Sequence, residues 1–181
     1  MKMEIVKIPQ ERVAMLIGKE GETKRQIERL WKVKIRADEE GDVEIEGEPF
    51  NVWRAKDVVK AIGRGFNPEK TMKLFSEDYY FKLIDLRELF GSEKEIKRYK
   101  GRVIGERGRS RRIIEETSEA DVCIYGDTVG IIGTLEELQL AEAAIGKLLE
   151  GASHSTVYAM LERGRRRIKE ERMKEIWNKG K

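Results

Sequence analysis

The stretch RVIGERGRSRRIIEE, residues 102–116, sets five arginines around two glycines placed three apart, Gly105 and Gly108. A glycine in a helix interior costs about 0.5–1 kcal/mol relative to alanine, so a pair of them in an otherwise helical run marks a place where the backbone must turn. The flanking segments, EKEIKRYKGRVI (93–104) and RSRRIIEETS (109–118), both read as helices. The second helix begins at the corner, where its first amides are unpaired and its dipole is positive, a geometry that takes an anion. Between positions 97 and 112 stand Lys97, Arg98, Lys100, Arg102, Arg107, Arg109, Arg111 and Arg112 against one acid, Glu106. A phosphodiester backbone would fit such a corner, and a solvated helix face is the other reading of the charge run.

The same corner stands 87 residues earlier, at Gly18 and Gly21. Around it Met3 to Ile8 alternates as a strand ended by Pro9, and RVAMLI (12–17) reads as a short helix. After the glycines, Ile27, Leu30 and Trp31 form one apolar stripe of a second helix. VKIR (33–36) and VEIE (43–46) read as strands, and Val52, Ala55, Val59 and Ile62 mark a longer helix. The order strand, helix, helix, strand, strand, helix then recurs. YYFKLIDL (79–86) is the strand, the two helices flank Gly105 and Gly108, and DVCIY (121–125) and TVGII (128–132) are strands. TLEELQLAEAAIGKLL (134–149) is the closing helix, opened by a capping box from Thr134 to Glu137. Gly130 and Gly133 repeat the glycine spacing but fall at a strand end, where no helical corner is expected.

This repeat divides the chain into a first domain over 1–65, a linker over 66–78, a second domain over 79–151 and a C-terminal helical extension over 152–181. The extension carries apolar Val157, Met160, Leu161 and Ile168 and the basic run RGRRR (163–167).

Composition narrows the function classes. Charged residues make up 39% of the chain against about 25% in ordinary globular proteins, a richness of the kind found in hyperthermophile proteins. The 37 basic and 34 acidic residues nearly cancel, so a nucleic-acid footprint must come from local clustering. One cysteine, Cys123, excludes an internal disulfide framework and reads as a small buried hydrophobe in a strand, in a reducing compartment. No apolar run approaches the ~20 residues that span a bilayer, and the opening MKMEIVKIP alternates like a strand. A soluble, cytoplasmic protein with no membrane contact is the expectation.

Catalysis finds little material. The only histidine, His154, lies between Ser153 and Ser155 at a helix start. No cysteine and histidine spacing fits a metal, and GKEGETK lacks the Gly-Lys-Ser/Thr ending of a phosphate-binding P-loop. No catalytic residue, metal or cofactor is expected.

LIGKEGETKRQI (16–27) and VIGERGRSRRII (103–114) resemble the I-G-x-x-G core and following helix of the KH domain family. The resemblance implies an α+β fold of two tandem type I (strand-first) KH domains. Each would be a three-stranded antiparallel sheet packed against helices, with a C-terminal helix added. It also implies a groove in which the glycine loop clamps about four nucleotides. Lys24 and Arg111 stand where the family usually has an apolar residue, which makes the groove more polar. GRGFNPEKTMKLF (63–75), YYFKLIDLRE (79–88) and HSTVYAMLERGRRR (154–167) further resemble the archaeal and eukaryotic small-subunit assembly factors known as partner of Nob, the Dim/Pno family. That resemblance implies ribosome biogenesis and rRNA processing. It implies contact with single-stranded RNA near the 3′ end of the small-subunit rRNA, and the Nob-type endonuclease or translation-initiation factors as partners.

The candidate RNA-binding residues are therefore Arg102, Ile104, Gly105, Glu106, Arg107, Gly108, Arg109, Arg111, Arg112, Val122 and Ile124. Gly18, Lys19, Glu20, Gly21, Lys24 and Arg25 form a secondary set with a weaker positive balance. Ile114 reads as core from its helical spacing, whereas strand residues Val122 and Ile124 fit core or groove equally. Two other readings stay open: a general RNA or single-stranded DNA binder in RNA decay or transcription, and a KH scaffold for protein partners.

Overall fold

The computed structural model describes residues Met1 to Lys181. Its elements follow the repeated order: β1 (Lys2–Lys7), α1 (Gln10–Ile17), α2 (Glu22–Trp31), β2 (Val33–Ala37), β3 (Asp42–Gly47) and α3 (Pro49–Gly63) in the first domain. A short α4 (Pro68–Thr71) intervenes. Then come β4 (Tyr79–Asp85), a one-turn α5 (Leu86–Leu89), α6 (Glu93–Ile104), α7 (Arg109–Ser118), β5 (Asp121–Tyr125), β6 (Thr128–Thr134) and α8 (Leu135–Leu149), followed by α9 (His154–Lys179). Each domain holds a three-stranded antiparallel sheet, ordered β1-β3-β2 and β4-β6-β5. Pairings such as Ile35 with Ile45 and Val122 with Ile131 place alternate apolar side chains under the helices.

Local chemistry sets the helix starts. Thr134 accepts from the Glu137 amide while Glu137 Oε2 accepts from the Thr134 amide at 2.9 Å, so the capping box forms as its sequence predicts. Ser92 and Ser153 cap α6 and α9 in the simpler one-way manner, and Pro49 opens α3.

The first core gathers Val6, Ile27, Val43, Ile45 and Val59, and the second Ile114, Val129, Ile131, Ile145 and Leu161. Strand β6 serves both, because Ile131 faces its own helices while Ile132 points through the other face of the sheet into the first core. A side chain so buried contributes about 1.5–3 kcal/mol.

The stretch 66–78 is folded rather than a free connection. Phe66, Thr71 and Leu74 are buried, and Arg54 donates to the carbonyls of Leu74 and Ser76 at 2.5 and 2.6 Å. The Phe66 ring meets Phe81 edge-on at 6.2 Å and lies against Gly130, where a Cβ would come within 2.7 Å of it. Gly130 is thus small to admit Phe66, while Gly133 lies against Glu137 and Ala120; both glycines fall inside β6 rather than at a strand end.

Polar contacts tie the same seam. Tyr125 donates its hydroxyl proton to Glu11, Lys73 pairs with Asp121 at 2.6 Å, and the Arg64 guanidinium lies 5.3 Å from the Tyr125 ring centre. Cys123 is half-buried here, and burial pushes its thiol pKa up. No helix is long and apolar enough to cross a membrane.

Candidate nucleic-acid interface

The two glycine corners share one backbone geometry. Gly105 has φ 72° and ψ 174°, Arg107 φ 52° and ψ 31°, and Gly108 φ 74° and ψ 15°. Their counterparts Gly18, Glu20 and Gly21 lie within a few degrees, at φ 74°, 54° and 77°. The first glycine of each pair sits in a region essentially closed to side chains, and its neighbours leave no room for one. A Cβ at Gly105 would stand 2.6 Å from the backbone nitrogen of Ser110, and one at Gly18 2.3 Å from Thr23 Oγ1. The second glycine differs, since a Cβ at Gly108 would meet nothing within 4 Å. Gly105 therefore lets α6 dock on α7, while Gly108 leaves a bare, open patch of backbone at the start of α7.

Charge distinguishes the corners. No side chain caps α7, its first turn holds no acid, and Arg109, Arg111 and Arg112 project from it. Arg107, Arg109 and Arg112 are exposed and Arg111 half-buried, and none of the four pairs with a carboxylate. The corresponding turn of α2 carries Glu22, and Lys24 lies 3.9 Å from Glu28. Lys19 and Arg25 remain exposed there, so the first corner is the less positive one.

From the corner, α7 runs beside the outer edge of β5. Glu115, two turns in, accepts the Val122 amide at 2.9 Å, and Glu28 does the same for Ile35 at 2.8 Å in the first domain. These bonds satisfy one outward donor of each edge strand and hold the helix beside it. Lys100 closes the other end, donating to the Gly126 carbonyl at 2.9 Å in the β5–β6 turn.

Three comparisons bear on this arrangement. A family model described as eukaryotic-type KH-domain (KH-domain type I) matches residues 80–166, and a KH domain model matches residues 3–61. A KH domain-containing protein of Methanocaldococcus jannaschii is 48% identical over 98% of this chain and 80% of its own length. The pre-rRNA-processing protein pno1 of Aspergillus fumigatus is 30% identical over 65% of this chain. The crystal structure of the a/eIF2alpha-aDim2p-rRNA complex from Pyrococcus horikoshii matches with a TM-score of 0.83 and 45% identity, over 91% of this chain and 94% of that one. The chain belongs to the tandem-KH Pno1/Dim2 family. It spans 48% of the length of the Aspergillus relative.

Within this KH frame, two candidate residues are corrected. Arg102 faces inward, where its Nε donates to the Leu148 carbonyl at 3.1 Å and its Nη2 to the Ala152 carbonyl, closing the C-terminus of α8. That positive charge meets the negative end of a helix, with its Nε and Nη2 donors already engaged there. Val122 is 2% exposed and belongs to the second core, because even-numbered residues of β5 point under the helices. Ile104 is half-buried, Ile124 shares Val122's face of β5 and packs against the second core while keeping part of its side chain open, and Glu106 stands exposed beside Arg107.

The inward role of Arg102 has a twin that the sequence concealed. Arg12 donates to the carbonyls of Ile62 and Phe66 at 2.8 and 2.9 Å, closing α3 just as Arg102 closes α8. The two arginines are not at matching places relative to their glycine pairs, so alignment of the repeat hides the likeness. His154, the first residue of α9, donates from Nε2 to the Arg102 carbonyl at 2.9 Å, a structural role. No group of histidine, cysteine and acidic side chains is arranged to hold a metal.

Proposed function

We propose that this chain binds single-stranded RNA through the glycine clamp of its second KH domain and acts in assembly of the small ribosomal subunit. The observation that carries the reading is the unpaired state of Arg107, Arg109, Arg111 and Arg112 around a turn whose Gly108 leaves the backbone open. Phosphates would meet those guanidinium groups and the uncapped start of α7, while bases would lie toward the half-buried Ile104 and Ile124. The activity proposed is binding, which the KH-domain match and the rRNA-bound relative support.

The rRNA-bound Dim2p structure and the pre-rRNA-processing relative support ribosomal RNA as the target. The same complex contains a/eIF2alpha, which supports a translation-initiation factor as a protein partner. Binding near the 3′ end of the small-subunit rRNA, with the Nob-type endonuclease acting beside it, follows from the family resemblance. The weaker charge of the first clamp suits it to holding the second in position.

The test is a titration of the full chain with an oligonucleotide copying the 3′ end of the small-subunit rRNA and with a permuted oligonucleotide of equal composition. Photo-crosslinking then locates the contact, which should fall within 105–112. Equal affinity for both RNAs would refute the 3′ end assignment. Crosslinks confined to the first clamp would refute the site, and absence of affinity would leave the protein-scaffold reading.

A further inference from the structure

The seam between the domains contains a cavity of about 570 Å³ that neither clamp shares. Its volume falls within the ~300–1,000 Å³ of sites that hold a ligand. One wall is β1, an edge strand with no neighbour on its outer side. The others are the last turns of α3 and the start of the second domain at Phe81 and Leu83 of β4.

Three properties of these walls are unspent. Ile5 on β1 and Leu83 on β4 leave 59% and 38% of their surface open, on opposite sides of the cleft. Lys60 is exposed and pairs with no carboxylate, whereas its neighbours Lys7 and Lys56 are held by Asp42 and Glu4. The Arg64 Nε–H is buried without an acceptor while the guanidinium plane rests on Tyr125. Asp57 is the one acid of the lining, and burial raises its carboxyl pKa against the opposing pull of Lys60, Arg54 and Lys56.

We infer that this cleft receives an extended segment of a partner protein, which adds as a strand to the free edge of β1 and carries apolar and acidic side chains in alternation. Main-chain groups of β1 would pair with the segment, and its apolar side chains would cover Ile5 and Leu83. Its carboxylates would meet Lys60 and Arg64. A nucleic acid fits these walls less well. The lining has no glycine turn presenting amides, and its one aromatic ring, Phe81, is already packed edge-on against Phe66.

A displayed library of random peptides, long enough for a strand of about 5–6 residues, tests this on the full chain with its RNA clamp saturated by single-stranded RNA. Enriched peptides should alternate apolar and acidic residues, and binding should slow amide exchange along Lys2–Lys7. Lys60→Glu and Ile5→Ser both alter exposed side chains and should leave the melting transition nearly in place, and each should weaken the selected peptides about tenfold. Peptides without acidic bias, or binding indifferent to both substitutions, would overturn the inference. So would displacement of the peptides by further single-stranded RNA, which would assign the cleft to nucleic acid.

Discussion

Replacing both variable residues of the second clamp, Glu106→Asp with Arg107→Asp, isolates its charge from its fold. Both side chains are exposed, and Arg107 already has φ 52°, a conformation that aspartate tolerates better than most residues. The melting transition should therefore stay nearly in place. Binding should not. Exchanging one guanidinium for a carboxylate replaces an attraction by a repulsion, each worth about 1 kcal/mol for charges ~4 Å apart in water. The sum, about 2 kcal/mol, is a loss of roughly 30-fold. The salt dependence gives an independent measure. Four unpaired arginines that meet three or four phosphates imply a slope of log affinity on log salt of about −2 to −3, and removal of one contact should make it shallower by about 0.7. Fluorescence-anisotropy titrations at several salt concentrations read both quantities. The matching pair in the first domain, Lys19→Asp with Glu20→Asp, should cost less, because Glu22 and the Lys24–Glu28 contact already reduce the positive field there. An unchanged affinity and slope at the second clamp would refute the assignment. Equal losses at both clamps would show that local charge does not distinguish them.

Three further outcomes follow from the same geometry. Arg102→Ala should destabilise the fold by about 1.5–3 kcal/mol, the worth of a hydrogen bond to a charged group. It should leave the affinity of the folded protein for RNA nearly unchanged; a selective loss of affinity without loss of stability in chemical denaturation would return Arg102 to the RNA site. Gly108→Ala should cost about 1–2 kcal/mol for its left-handed backbone alone. Gly105→Ala should cost more, because its methyl group would collide with Ser110, and equal denaturation midpoints would contradict that. Tyr125→Phe removes the hydroxyl that holds the Glu11 carboxyl pKa below its ordinary range, while Glu11 and burial hold the Tyr125 pKa above its own. The Glu11 contribution is present above the ordinary glutamate range and lost as pH falls through its depressed value. That of Tyr125 is present below the ordinary tyrosine range near ~10 and lost as pH rises through its raised value. The stability difference between the native protein and Tyr125→Phe should thus be largest near neutrality and shrink at both extremes, and a pH-independent difference would exclude this coupling.

Much of the molecule was legible without coordinates because it is written locally. The strand and helix order, the Thr134–Glu137 capping box and the two glycine corners depend on residues within a turn or two of one another; the repeated order divides the chain into two like domains, and the resemblance of the glycine corners to KH domains supplies the fold. The positive run around Gly105 was equally visible. Which of its charges are free was not. Arg102 finds its acceptors 46 and 50 residues away, at the end of α8, and Lys100 its own 26 residues away, so in the sequence they are indistinguishable from Arg107 and Arg109. The seam follows the same rule. Phe66 and Ile132 looked like a linker residue and an ordinary strand residue, yet both enter the first core and join the domains. Hydrophobic periodicity says that a side chain is buried but not against what, and a charge shows its sign but not its partner. Only the packing of the second sheet on the first domain decided where those residues, and the cleft between them, would lie.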